Sequence, residues 1–300
     1  MPRRHGRCGF TLIEIVVALG ILTVVTTQVL GLVATQQQSY MSQRRVVDAQ
    51  EDVRLVADMV LVDLRMAGFM TPPMVGVSVV DGGTTGSDLI CASDPSVYDE
   101  TMLDDAMDRF DGTGLASTLG AGTSVSLTSS EMDIDGDGNN DYTVGQGIIV
   151  ADADSSHCGR ITNISSGTVT FTPAAPSGFS AVAGPARAVP AIVYELSGTD
   201  LLRNNELLAS QVEDVQLEFG IDTDSDGEIG SGEFPLHGLN GQVTANVKGV
   251  RLSVLTRTAL EDPDLEGPGR QKVGNRDAAA SGDAYRRRLV SVMAAPRNLL

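Results

Sequence analysis

The chain has 300 residues, of which 42% are hydrophobic and 20% charged; it can bury a core and is not globally disordered. Acidic residues outnumber basic ones 39 to 21, and three of the basic ones, Arg3, Arg4 and Arg7, fall in the first nine positions, which argues against a generic basic face for nucleic acid. Three cysteines without a C-x-x-C pair exclude a zinc ribbon or a thioredoxin-type motif.

Residues 1–9 are short, basic and not apolar, and residues 10–34 are almost wholly apolar. No charge interrupts Ile15 to Ala34, a run that spans roughly 30 Å as a helix and matches a bilayer core. The Arg cluster ahead of it predicts a cytoplasmic N-terminus with the remainder exported. A secretory signal would need a small-residue cleavage site after the apolar run, and the sequence from Thr35, TQQQSYMSQRR, has none. A plain anchor leaves Glu14 unexplained: a charge at the bilayer centre costs on the order of 2.5–3.5 kcal/mol, less near the edge.

Gly9-Phe10-Thr11-Leu12-Ile13-Glu14 resembles the processing motif of the type IV prepilin family at every position. The resemblance implies that a prepilin peptidase cuts between Gly9 and Phe10, and that the new Phe10 amine is N-methylated. It also implies that Glu14 pairs with the Phe10 amine of a neighbouring subunit during assembly, so that two buried charges neutralise each other. Cleavage ahead of the apolar run keeps the membrane helix on the mature protein.

The helix is expected to continue from Phe10 to about Gly68, where Pro72-Pro73 follows, a length of roughly 90 Å. At 100° per residue, Val46, Ala49, Val53, Val56, Ala57, Val60, Leu64 and Ala67 form one apolar stripe. Leu55, Met59, Val62 and Met66 form a second. Two stripes predict a helix packed on both sides, by its own head on one and by neighbouring subunits on the other.

Residues 71–300 read mostly as β. Candidate strands are Val75–Val80, Asp88–Ala92, Ser124–Thr128, Gly147–Ala151, Arg160–Ile164 and Thr168–Thr172. A hairpin follows, with Ala191–Leu196 and Leu201–Arg203 joined at Ser197-Gly198-Thr199-Asp200. Alternation marks Val215, Leu217 and Phe219, then Val250, Leu252 and Val254, and Tyr285–Met293 closes the series. Residues 93–146 and 261–283 read as an insertion or long loops. Leu201-Leu202-Arg203-Asn204, the run Val212 to Gly220, the Asp-rich turn after it, Tyr285-Arg286-Arg287-Arg288-Leu289 and Arg297-Asn298 are similar to the head of PilW-type minor pilins.

The expected organisation is therefore α+β: a leader at 1–9, a membrane helix half at 10–34, an exported amphipathic half at 35–70, and a mainly antiparallel, pilin-like β head at 71–300. The resemblance implies a single-pass protein of the bacterial inner membrane with its head in the periplasm, or later on the pilus. Its partners would be minor and major pilins, the prepilin peptidase and the inner-membrane assembly platform. A type II secretion pseudopilin resembling the J subunit, and a calcium-dependent envelope adhesin with a borrowed leader, are the alternative readings.

Two loops have ligand spacing for calcium. Residues 222–233 fit D-x-[DN]-x-[DN]-G-x5-E through Asp222, Asp224, Asp226, Gly227 and Glu233, with the Glu228 carbonyl at the seventh position. Residues 133–141 repeat the alternation with Asp133, Asp135, Asp137, Asn139 and Asp141, but carry Val144 at position twelve. A solvated acidic turn is the bland alternative for each. Cys8 leaves with the leader, so Cys91 and Cys158 form an even pair in an oxidising compartment; a bridge would close a loop of about 67 residues and add about 4 kcal/mol, the alternative being two unlinked buried thiols. His157, next to Cys158, is expected at the surface. No H-E-x-x-H, G-x-S-x-G or P-loop occurs, and the chain reads as no enzyme.

Overall fold

The computed structural model describes residues 11–69, 71, 75–98, 112–152, 155–177, 180–184, 186–230, 232–235, 237, 247–262 and 265–295. The bond between Gly9 and Phe10, Pro72, Pro73, Arg297 and Asn298 lie outside these residues. The chain divides into two compact units, Met1–Val47 and Asp48–Leu300.

One helix, α1 (Leu12–Met66), begins in the first unit and ends in the second. In the first unit every residue from Thr11 to Met41 is exposed, as an apolar surface without a protein partner must be. The Thr23, Thr26, Thr27 and Thr35 hydroxyls donate to the carbonyls four residues back at 2.7, 2.7, 2.8 and 3.1 Å, so these polar groups need no water.

In the second unit the same helix is buried along Ala49, Val53, Val56, Ala57, Val60, Leu61 and Leu64. This is the first stripe of the sequence from Ala49 to Leu64 with Leu61 added; Val46 is only half-buried, Ala67 is buried just past the helix, and Leu55, Met59, Val62 and Met66 stay exposed. Gly68 ends the helix with φ 81°, a conformation that disfavours a side chain, and its N–H donates to Ser93 Oγ at 2.7 Å.

The head holds thirteen described strands: β1 (Val77–Val80), β2 (Leu89–Ser93), β3 (Thr113–Gly114), β4 (Gly122–Ser126), β5 (Gly147–Ala151), β6 (Ser156–Ser165), β7 (Thr168–Ala175), β8 (Arg187–Ser197), β9 (Asp200–Arg203), β10 (Glu206–Ser210), β11 (Val212–Ile221), β12 (Val247–Arg257) and β13 (Arg287–Ala294). All their pairings are antiparallel. The larger sheet runs β1-β2-β8-β5-β6-β7-β4, with β3 and β9 also on β8 and β10 on β9; the smaller runs β11-β12-β13.

Among the described residues, three apolar clusters fill the head. Val53, Val56, Val60 and Leu64 of α1 meet Val77, Ile90 and Tyr194 of the large sheet and Val215, Leu217, Leu252 and Val254 of the small one. Ile90 and Ala92 point into this cluster, whereas Leu89 and Cys91 point into another with Ile149, Cys158 and Val193, so β2 is buried on both faces. A third cluster gathers Leu115, Val125, Tyr142, Ile148, Ile161 and Phe171.

The structure departs from the sequence reading in four places. Among the described residues of 93–146, the strand expected at Ser124–Thr128 lies at β4, and β3 and two short 3-10 turns, Pro95–Val97 and Ser129–Glu131, are added to it. β10 was not expected, because Glu206–Ser210 lacks a clean apolar alternation and stays largely exposed. His157 is buried, not at the surface: strand alternation turns it away from Cys158, but onto Phe171 and the Pro173 carbonyl, 3.2 Å from Nε2. Burial pushes its pKa down. Residues 261–283 form no helix or strand where described, as a loop should, and what the sequence did not announce is that they are anchored. Arg276 and Arg270 reach the fully buried Asp214 carboxylate at 3.1 and 3.5 Å, and Ser87 Oγ donates to it at 2.7 Å.

Candidate functional site

At the membrane end, Thr11 and Glu14 form a capping box. Thr11 N and Oγ1 donate to Glu14 Oε2 at 3.0 and 3.1 Å, and Glu14 N donates to Thr11 Oγ1 at 3.4 Å. The carboxylate thus occupies donors at the start of α1, where the helix dipole favours negative charge. The T-x-x-E spacing carries this signal, and the sequence reading passed over it.

In the second unit the exposed stripe Leu55, Met59, Val62 and Met66 lies opposite the docked one by helical angle. Asp63 fixes the rotation of α1 between them. Its Oδ2 accepts from Tyr194 Oη and, at 2.9 Å, from Arg203 Nε. Tyr194 and Arg203 lie on the β8–β9 hairpin, so one carboxylate ties helix and hairpin together. The 131 and 140 residues separating these partners hide the contact from a sequence reading.

The two acidic loops share one backbone plan. The first carboxylate accepts from the sixth residue: Gly227 N to Asp222 Oδ2 at 3.1 Å, and Gly138 N to Asp133 Oδ2 at 2.9 Å. The third accepts from the fifth: Asp226 N to Asp224 Oδ1 at 3.2 Å, and Asp137 N to Asp135 Oδ1 at 3.1 Å. The fifth accepts from the seventh: Glu228 N to Asp226 Oδ1 at 2.8 Å, and Asn139 N to Asp137 Oδ1 at 2.7 Å. Positive φ recurs at the fourth and sixth positions, at Ser225 and Gly227 in one loop and Gly136 and Gly138 in the other.

The loops differ in closure. Glu233, at position twelve, accepts from Thr223 N and Oγ1, both at 2.6 Å, and from Gly230 N at 2.7 Å. These bonds hold its carboxyl down at about 2. Asp141, at position nine, accepts from Ile134 N at 2.6 Å, replacing the closing residue that Val144 cannot supply. Burial pushes the Asp141 carboxyl up.

Carboxylate oxygens of Asp222, Asp224 and Asp226 lie within 4.8 Å of one another, as do those of Asp133, Asp135 and Asp141. Asp222 Oδ1 and Asp133 Oδ1 are buried without a hydrogen-bond partner. An all-oxygen donor set with an unsatisfied inward oxygen fits a hard cation such as calcium. Glu228 contributes its N–H to the loop, and Asp137 and Asn139 bond each other at the rim, with Asn139 Nδ2 donating to Asp137 Oδ2 at 2.9 Å.

Cys91 and Cys158 are brought together in one apolar cluster, as thiols. Of the arginine run near the end of the chain, Arg286 pairs with Asp262 at 2.7 Å and Arg287 is clamped between Glu213 and Asp283, both at 2.5 Å; Arg288 is exposed.

Two family models match parts of the chain. The type IV pilus-assembly protein W family, PilW, matches residues 181–298, and the prokaryotic N-terminal methylation motif matches residues 4–27. Over these residues the chain is similar to a PilW-type type IV prepilin. The PilW match covers β8 to β13 and the 222–233 loop, and leaves the 133–141 loop outside it. The two matches point to a membrane-anchored envelope protein and a structural component of type IV pilus assembly, which implies contact with other pilus components. No curated protein and no solved structure matches the chain.

Proposed function

We propose that this PilW-like prepilin is a minor pilin that helps prime or assemble a type IV pilus. The observation that carries the reading is one uninterrupted helix with two kinds of surface: a wholly exposed, charge-free segment behind the processing motif, and a segment docked on the head. On this reading prepilin peptidase cuts at Gly9–Phe10 and leaves Phe10 N-methylated. The exposed segment stays in the inner membrane, and the head faces the periplasm. Glu14 exchanges its Thr11 donors for the Phe10 amine of a neighbour, and Leu55, Met59, Val62 and Met66 meet neighbouring subunits.

Glu14→Ala is the decisive variant. It should be trimmed normally, with mass spectrometry finding a methylated Phe10 terminus, and be missing from sheared pili. Deleting the gene should remove surface pili. Full incorporation of Glu14→Ala would overturn the pairing, and membrane protein still carrying Met1 would overturn the processing. Normal pili with lost adhesion after deletion would favour the adhesin reading.

Both acidic loops are proposed to hold calcium as a structural ion that orders them after export. Each filled site stabilises the folded state by about 2.7 kcal/mol when calcium stands 100-fold above its dissociation constant. Asp222→Ala and Asp133→Ala should each remove one site in calorimetric titrations, and the double variant both. A melting temperature unchanged by millimolar calcium, with no heat of binding, would remove the proposal.

A further inference from the structure

We propose that Cys91 and Cys158 are the two halves of a disulfide that forms on export, before the large sheet closes. Cys91 lies on β2 and Cys158 on β6, strands that β8 and β5 separate in the sheet order. Their side chains nevertheless share one buried cluster, and Ser78, the residue that Cys91 faces across β1 and β2, is the residue that the Cys158 thiol touches. Neighbouring contacts confirm the face-to-face approach. Ser78 Oγ on β1 lies 3.1 Å from Ser156 Oγ on β6, and Cys158 Sγ donates to the Ser78 carbonyl at 3.5 Å.

Val75, Leu89, Ile149, Val189 and Val193 surround the pair, and Cys91 and Cys158 are 0% and 1% exposed. A thiolate is not favoured there, and an oxidant cannot reach it, so the bond must form while β2 and β6 are still accessible. The co-reactant is the disulfide of an exported thiol–disulfide oxidoreductase. One cysteine thiolate attacks that disulfide and gives a mixed disulfide. The other cysteine, losing its proton, attacks the first cysteine's sulfur and releases the oxidoreductase as a dithiol. Two electrons and two protons leave the chain, and one S–S bond replaces another.

The bridge lies across the apolar interior between strands that share no backbone hydrogen bonds, and its loop encloses residues 133–141. It rests on the exported placement proposed above, and one digest separates the two ideas. Full-length protein extracted from the envelope in detergent is alkylated in denaturant without reductant, then mapped by mass spectrometry. The expected result is a Cys91 peptide joined to a Cys158 peptide, two hydrogens lighter than the free thiols, in protein trimmed to Phe10. Trimmed protein with both cysteines alkylated overturns the bridge alone.

Untrimmed protein overturns the pilin reading, and the bridge is then judged on the full chain refolded in a glutathione redox buffer. Complete linkage supports it, and persistent free thiols overturn it. Reductant should lower the melting temperature of the native protein by about 10 °C, and should leave that of a Cys91→Ser/Cys158→Ser double variant unchanged. A native protein indifferent to reductant counts against the bridge.

Discussion

Val60→Asp is expected to unfold the head, whereas Val62→Asp, two residues on, should leave it intact. Val60 is completely buried between the two sheets, and a carboxylate there has no partner, a loss of about 4 kcal/mol or more. Val62 is 56% exposed, and the same substitution should change stability by no more than about 0.5 kcal/mol. Thermal melts of a soluble head beginning at Asp48 test this difference. The second variant should nevertheless fail to support pili, because it places a charge in the stripe assigned to neighbouring subunits. A folded Val62→Asp protein that restores normal piliation would show that this stripe meets water throughout.

The head should lose stability as the pH rises from 4 to 7, and the source is Asp88. Burial is the main cause that pushes its carboxyl up from 3.8 to about 7, with Asp81 and Asp214 adding to the effect. The N–H groups of Leu217 and Gly82, donating at 2.8 and 3.0 Å, oppose it without prevailing. A raised folded pKa means that the folded state keeps a proton which the unfolded chain has released. Its contribution is complete below about pH 4, falls as pH climbs towards 7 and is flat beyond. The upper bound is about 4 kcal/mol. Asp137, Asp283 and Glu233, whose carboxyls are held down, act in the opposite direction and at lower pH. Melts at pH 5 and pH 8 should be made with a chelator present, since calcium binding strengthens as carboxylates ionise. Equal midpoints at the two values would contradict the assignment to Asp88.

The elements that local chemistry determines were legible in the sequence. The long helix is announced by its charge-free run and ends at Met66, two residues before Gly68, and the periodicity of Ala49 to Leu64 separates its docked face from its exposed one. Gly147–Ala151 was read to the residue, since a short apolar run bounded by polar turns has few alternatives. What escaped depends on distant partners. Nothing near Asp63 in the chain announces Tyr194 and Arg203, which close on it from the β8–β9 hairpin. Residues 261–283 looked loose because nothing in their composition announces that Arg270 and Arg276 grip Asp214. In the 133–141 loop Asp141 was legible as one of the alternating ligands, but its closing bond from Ile134 N was not.

The contrast between Ser225 and Gly136 at the same place in their loops has an entropic consequence. A seryl residue held at φ 63° bears steric strain, but it wanders little in the unfolded chain; glycine at φ 75° bears none and surrenders more freedom on ordering. At this fourth position the nine-residue turn therefore gives up more on becoming rigid than its twelve-residue counterpart does. Order at Gly136 depends the more heavily on whatever fills the space between Asp133, Asp135 and Asp141.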